Sequence, residues 1–137
     1  MKKIFEISEG GFELKFFGDN QSEKLHDKSF FFPVVIELYN GSFRAKKKIE
    51  MEIGYLEVFV KDLEGVYKNL EGSASRLENL DMDFSILFES NEQGQISISG
   101  VLFDGEIRQN KLEFNTQIDQ SYLPQVIKDS NNFIEQK

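Results

Sequence analysis

Apolar positions along this chain recur at two periods, and the change of period marks the elements. Over Ile53 to Gly72, IGYLEVFVKDLEGVYKNLEG, the residues Leu56, Phe59, Val60, Leu63, Tyr67 and Leu70 fall at steps of three and four. That spacing predicts a helix with one apolar face. Glu57 with Lys61, and Glu64 with Lys68, stand four apart on the other side, acid before base, and Gly72 supplies a stop.

Elsewhere the period is two, the mark of half-buried strands. Residues 2–7 (KKIFEI) and 12–17 (FELKFF) flank a Gly10-Gly11 turn, and residues 18–28 form a polar loop. Phe30 to Tyr39 and Ser42 to Ile53 flank Asn40-Gly41, the strongest short hairpin signal. A two-residue turn there pairs Leu38 with Phe43, Glu37 with Arg44 and Ile36 with Ala45, with Phe43, Ala45, Ile49, Met51 and Ile53 on one face. Pro33 places its strand at an edge, or starts regular pairing after it.

Residues 73–79, SASRLEN, read as a polar stretch. Then Leu80, Met82, Phe84, Ile86 and Phe88 alternate with Asp81, Asp83, Ser85 and Glu89. Turns at Asn91 to Gly94 and at Asp104-Gly105 separate two further strands, ending at Ile118, in a three-strand meander with one buried face. Asp119 to Gln136 closes the chain as a second helix, with Asp119 or Ser121 as cap and Pro124 in the first turn. Its stripe is Leu123, Val126, Ile127, Phe133 and Ile134. No internal repeat is present. The expected fold is α+β: a curled antiparallel sheet of about six to seven strands covered by two amphipathic helices, in the order ββββαβββα, as a single domain over 1–137.

Composition narrows the class. A chain of 137 residues buries about 68% of its unfolded surface around one core. Fourteen Phe and no Trp make that core phenylalanine-rich, and the lack of cysteine excludes disulfides, thiolate zinc and cysteine nucleophiles. The first residues, MKKIFEISEGG, lack the apolar run of a secretory signal, and no stretch reaches the ~18 apolar residues of a membrane span. A cytoplasmic location is expected. The formal net charge of −8 repels nucleic acid and anionic lipid and suits a basic partner.

Candidate chemistry is sparse. His26, with Asp19 and Asp27 nearby in sequence, reads as a solvated loop residue. Lys46, Lys47 and Lys48 have no interleaved aromatics for stacking bases and read as protection of a strand edge. Asp81, Asp83 and Glu89 share the polar face of one strand. Spaced carboxylates serve glycoside hydrolysis when a cleft raises one pKa, but on an alternating strand the default is a solvated face. Their sharper use is as an acidic face that meets a basic protein. Phe31, Val35, Tyr39, Val101 and Phe103 fall on the second face, which either curls inward or forms a contact surface, and curling is the expected outcome. No phosphate loop or dinucleotide fingerprint is present. No catalytic, cofactor-binding or metal residue is assigned, and no cofactor is expected.

The runs LEVFVKDLEGVYKNLEGSA, LDMDFSILFESNEQGQISISGVL and FNTQIDQSYLPQVIKDSNNFI resemble the WapI-type bacterial immunity proteins and related domains. Gly72-Ser73-Ala74, Gly94 and Asp119 to Leu123 carry the likeness, which covers the chain from about Phe30 onward. The resemblance implies a non-enzymatic protein that binds and neutralises a toxin domain, and it brings no binding residues with it. Two other classes compete: a small-molecule or lipid-binding module with an apolar pocket, and an enzyme using Asp81 and Asp83. A purely structural domain is the plainest alternative.

Overall fold

The structure, a computed structural model, describes residues 1–19, 31–68, 73–91, 93–104 and 109–135. Two antiparallel sheets face one another, each of four strands among the described residues. The first holds β1 (Lys2–Glu9), β2 (Phe12–Gly18), β3 (Phe31–Asn40) and β4 (Phe43–Glu52), in that order. Helix α1 (Ile53–Tyr67) follows directly. The second sheet holds β5 (Ala74–Glu78), β6 (Phe84–Ser90), β7 (Gln95–Asp104) and β8 (Asn110–Asp119), again in chain order. A single 3-10 turn (Gln120–Tyr122) leads into α2 (Leu123–Ile134). The α+β class is as expected, but the single curled sheet is replaced by two sheets. The order ββββαβββα is corrected to ββββα twice over.

The added strand is β5. It pairs with β6 from Ala74 opposite Glu89 to Glu78 opposite Ser85. Only Ser75 and Leu77 point inward from it, and the buried Ser75 hydroxyl donates to the Phe59 carbonyl of α1 at 2.6 Å. That bond satisfies a polar group at a core position, which is why the segment carries no apolar alternation.

The first sheet follows the expected alternation with one shift. Glycine 41 (φ 64°) takes the left-handed backbone of the β3–β4 turn, but the loop is Gly41-Ser42, with Asn40 opposite Phe43. Leu38 therefore pairs with Ala45 and Glu37 with Lys46, two residues further along β4 than expected. A shift of two preserves every face. The acid–base match survives as a Lys46–Glu37 pair at 3.8 Å. Phe43, expected inward, is 67% exposed, since it sits at the strand's first position beside the turn. β3 is interior, not an edge. Pro33 is tolerated because pairing with β2 starts at Val34, and its carbonyl still accepts the Asp19 N–H. In β1 the register shifts between Lys3 and Phe5, so consecutive Ile4 and Phe5 are both buried.

Nine phenylalanines of the described residues are buried, and their rings join the layers. Phe16 of β2 meets Phe84 of β6 at 5.7 Å, and Phe12 meets Phe114 of β8 at 6.2 Å. Phe59 of α1 lies 5.8 Å from Phe5 and 5.4 Å from Phe88, one in each sheet. Phe133 of α2 packs against Phe32 at 5.5 Å. In α1 the buried side chains are Ile53, Leu56, Phe59, Val60, Leu63 and Val66. Tyr67, expected in the stripe, is exposed because the helix ends there and Val66 takes the inward place; Leu70 and Gly72 lie outside the described residues. In α2 Leu123, Val126 and Phe133 are buried, and Ile127 and Ile134 pack at the margin. Pro124 lies in its first turn as expected, but the Asp119 carboxylate takes the Ser121 hydroxyl at 2.6 Å instead of capping a backbone N–H.

Gly100 sits on the inner face of β7 opposite Phe114, whose ring closes over it. A Cβ there would lie 2.8 Å from that ring and 2.8 Å from the Ser85 backbone oxygen. The ring can shift but the backbone oxygen of a paired strand cannot. Gly100→Ala is therefore expected to cost about 1–3 kcal/mol by overpacking, read as a lower urea midpoint at unchanged slope.

Candidate functional site

The turn 79–83, between β5 and β6, is held by several hydrogen bonds although its tip is exposed. Its centre is Asn79, whose side chain is fully buried. Nδ2 donates to the Glu50 carbonyl of β4 at 3.0 Å and to Asp83 Oδ2 at 2.9 Å, while Oδ1 accepts the Asp83 N–H at 2.9 Å. The Met82 N–H closes the turn on the Asn79 carbonyl at 3.1 Å, and the Phe103 N–H of β7 donates to the Asp83 carbonyl at 2.9 Å. One more tie comes from the start of α1. Glu52 is buried, and its Oε2 accepts the Leu80 N–H at 3.3 Å. The turn is thus held both to β7 and to the end of β4, where α1 begins.

Two costs are concentrated in this clamp. Met82 has φ 56°, the one described non-glycine residue with positive φ. A left-handed backbone at such a residue costs about 1–2 kcal/mol. Glu52 Oε1 is buried without a hydrogen-bond partner. Backbone strain and unsatisfied buried groups persist only where surrounding structure enforces them, and they gather at functional segments.

The turn also overturns the expected placement of its side chains. Leu80 and Met82 were expected on the buried face with Phe84, but they are 58% and 43% exposed. The left-handed step at Met82 breaks the alternation before β6 begins at Phe84. Asp81 is exposed at the tip, and Asp83 is half-buried against Asn79. Both border a cleft of about 430 Å³ with Asp19, Pro33, Lys48 and Glu50. Glu89 shares their strand parity but lies near the far end of β6, six residues on and roughly 20 Å away along a strand. The three carboxylates do not form one patch.

The other candidates fall elsewhere. His26 and Asp27 lie outside the described residues. Lys46 and Lys48 point outward from β4, which is an edge strand, whereas Lys47 turns toward the second sheet and pairs with Asp104 at 3.6 Å. Val35 is buried on the second face, Tyr39, Val101 and Phe103 are half-buried, and Phe31 is exposed, so curling covers only part of that face. Among the described residues no group of three or more His, Cys, Asp or Glu stands together as a metal site, and no helix is long and apolar enough to cross a membrane.

The family model for the WapI-like immunity proteins matches residues 3–136. The chain belongs to the WapI-like immunity protein family. The match begins at residue 3, so the first hairpin, which carries no recognisable motif, is part of the family pattern as well. No curated protein matches the chain. A solved structure titled for Trypanosoma bruciei MRP1/MRP2 is similar with a TM-score of 0.53 at 10% identity, covering 90% of this chain and 73% of that one. At that identity the likeness is one of fold alone. As in the rest of the WapI-like family, a toxin-immunity role is implied in general terms.

Proposed function

We propose that this chain is a non-enzymatic, cytoplasmic immunity protein, a single domain over 1–137, that binds a cognate basic toxin domain stoichiometrically and blocks it. The observation that carries this reading is the family match over 3–136. The net charge of −8 supports a basic partner, because complementary charge steers encounter and suppresses wrong partners. Asp81 and Asp83 serve at the contact with that partner, and Glu89 extends the acidic character to the other end of β6. The apolar-pocket reading is disfavoured, since buried phenylalanine rings contact one another across the layers.

The test is affinity purification of the tagged chain from its native host, followed by toxin challenge. A stoichiometric basic protein should co-elute, its isolated domain should arrest growth when expressed alone, and co-expression of this chain should restore growth. A chain that recovers no protein, or whose partner is harmless to cells, overturns the reading.

A further inference from the structure

We infer that the toxin domain docks on the outward patch formed by Tyr55 and Val58 of α1 with Leu80 and Met82 of the clamped turn; this rests on the immunity reading above. Tyr55 and Val58 stand three apart and are 37% and 59% exposed on a helix whose opposite side fills the core. The notch that they line joins the turn through the end of β5. Tyr55, Val58, Arg76 and Glu78 line one notch of about 200 Å³, and Glu78 leads through Asn79 to Leu80, whose N–H is tied to Glu52 at the start of the same helix. Four large exposed apolar side chains on two joined elements of a strongly acidic protein are the composition of an interface core and not of a solvated face.

The rim chooses the partner. Asp62, one helical turn beyond Val58, and Glu78 and Asp81 stand around the patch with the cations Lys61 and Arg76, of which Arg76 already donates to Ser85 Oγ at 2.6 Å, so the border carries a net negative charge like the chain as a whole. The fitting occupant is a protein surface that offers apolar side chains within a lysine- and arginine-rich border. The notch has room for one long side chain. A lysine or arginine of the partner would lay its aliphatic stem on Val58, face the Tyr55 ring and bring its charge to Glu78.

Rigidity favours the same conclusion. Exposed turns are ordinarily mobile, and ordering one on binding costs affinity. Here Asn79 and Glu52 hold the tip in one conformation at the expense of a positive φ at Met82, so the ordering cost is met during folding.

The probe is the toxin domain recovered in the purification above, titrated into the wild-type chain and into Val58→Lys, Leu80→Lys and the control Asn115→Lys on the outer face of the second sheet. Val58→Lys and Leu80→Lys should each weaken binding by about 30-fold or more, the range of interface anchors. Asn115→Lys should bind within about threefold of wild type. All three side chains are exposed, so far-ultraviolet circular dichroism and the melting temperature should stay near wild type. Binding by both patch variants within about threefold of wild type overturns the surface and leaves the immunity role intact. A purification that recovers no toxin domain overturns both. A wild-type dimer that Leu80→Lys dissociates overturns the proposal in favour of self-association.

Discussion

Phe59→Ala should destabilise the protein by about 3–5 kcal/mol, the range for truncating a fully buried aromatic residue. Phe59 is the one α1 side chain with ring contacts to both sheets, stacked near Phe5 and edge-on to Phe88. Truncation removes the transfer energy of the ring and opens a cavity between layers that strand pairing prevents from closing. The Phe59 carbonyl also receives the Ser75 hydroxyl, so any shift of the helix toward the void would strain the anchor of β5. Urea unfolding of Phe59→Ala beside Val58→Ala separates burial from helix propensity. Val58 is exposed on the same helix, and its truncation should stay within about 0.5 kcal/mol. A loss below about 1 kcal/mol at Phe59 would mean that α1 does not bridge the sheets.

The helix and most strands were legible because burial leaves a period in the sequence. Leu56, Phe59, Val60 and Leu63 face inward as their spacing requires, and the meander from Phe84 onward keeps its alternation. The hairpin register missed by two residues because the turn is Gly41-Ser42 and not Asn40-Gly41; Leu38 opposite Ala45 and Glu37 opposite Lys46 still pair apolar with apolar and acid with base, but Ile36 falls opposite Lys47. β5 was illegible for a different reason. Its inward serine is satisfied by a single hydrogen bond to α1, and hydropathy has no sign for that. Losing one short strand was enough to merge two sheets into one, since the assignment of strands to sheets depends on contacts far apart in the chain.

The site was half legible. Asp81 and Asp83 stood out as carboxylates, but as part of a strand face running to Glu89. What holds them is Asn79, a polar residue in a polar stretch, whose buried partner is a backbone carbonyl 29 residues away. Nothing in the local sequence distinguishes it from a loop asparagine. Leu80 and Met82 were misplaced for the same reason, because the turn that exposes them is enforced from β4 and β7 rather than by a glycine or proline. The local pattern fails at the strained, exposed segment, where failure of local rules is expected to coincide with function.

Asn79→Ala should cost about 2–4 kcal/mol, since the Glu50 carbonyl and the Asp83 N–H both lose their partner and each such loss costs about 1–3. Asn79→Asp should do no better. It keeps an acceptor for the Asp83 N–H, but it removes the donor to Glu50 and sets a second carboxylate against that of Asp83. Toxin binding should fall with stability even though Asn79 is buried, because a turn released from its clamp must be reordered at the interface. A double-mutant cycle isolates the clamp. In the wild-type background Met82→Gly should be neutral or stabilising by up to about 1 kcal/mol, as relief of the left-handed strain slightly exceeds the added entropy of the unfolded chain. In the Asn79→Ala background the turn can relax without help, so the same substitution should lose that benefit and become destabilising. The difference is the coupling between the two residues, expected at about 0.5–1.5 kcal/mol. Strict additivity would show that Asn79 does not enforce the Met82 conformation, and the rigid-turn argument for the docking surface would lose its basis.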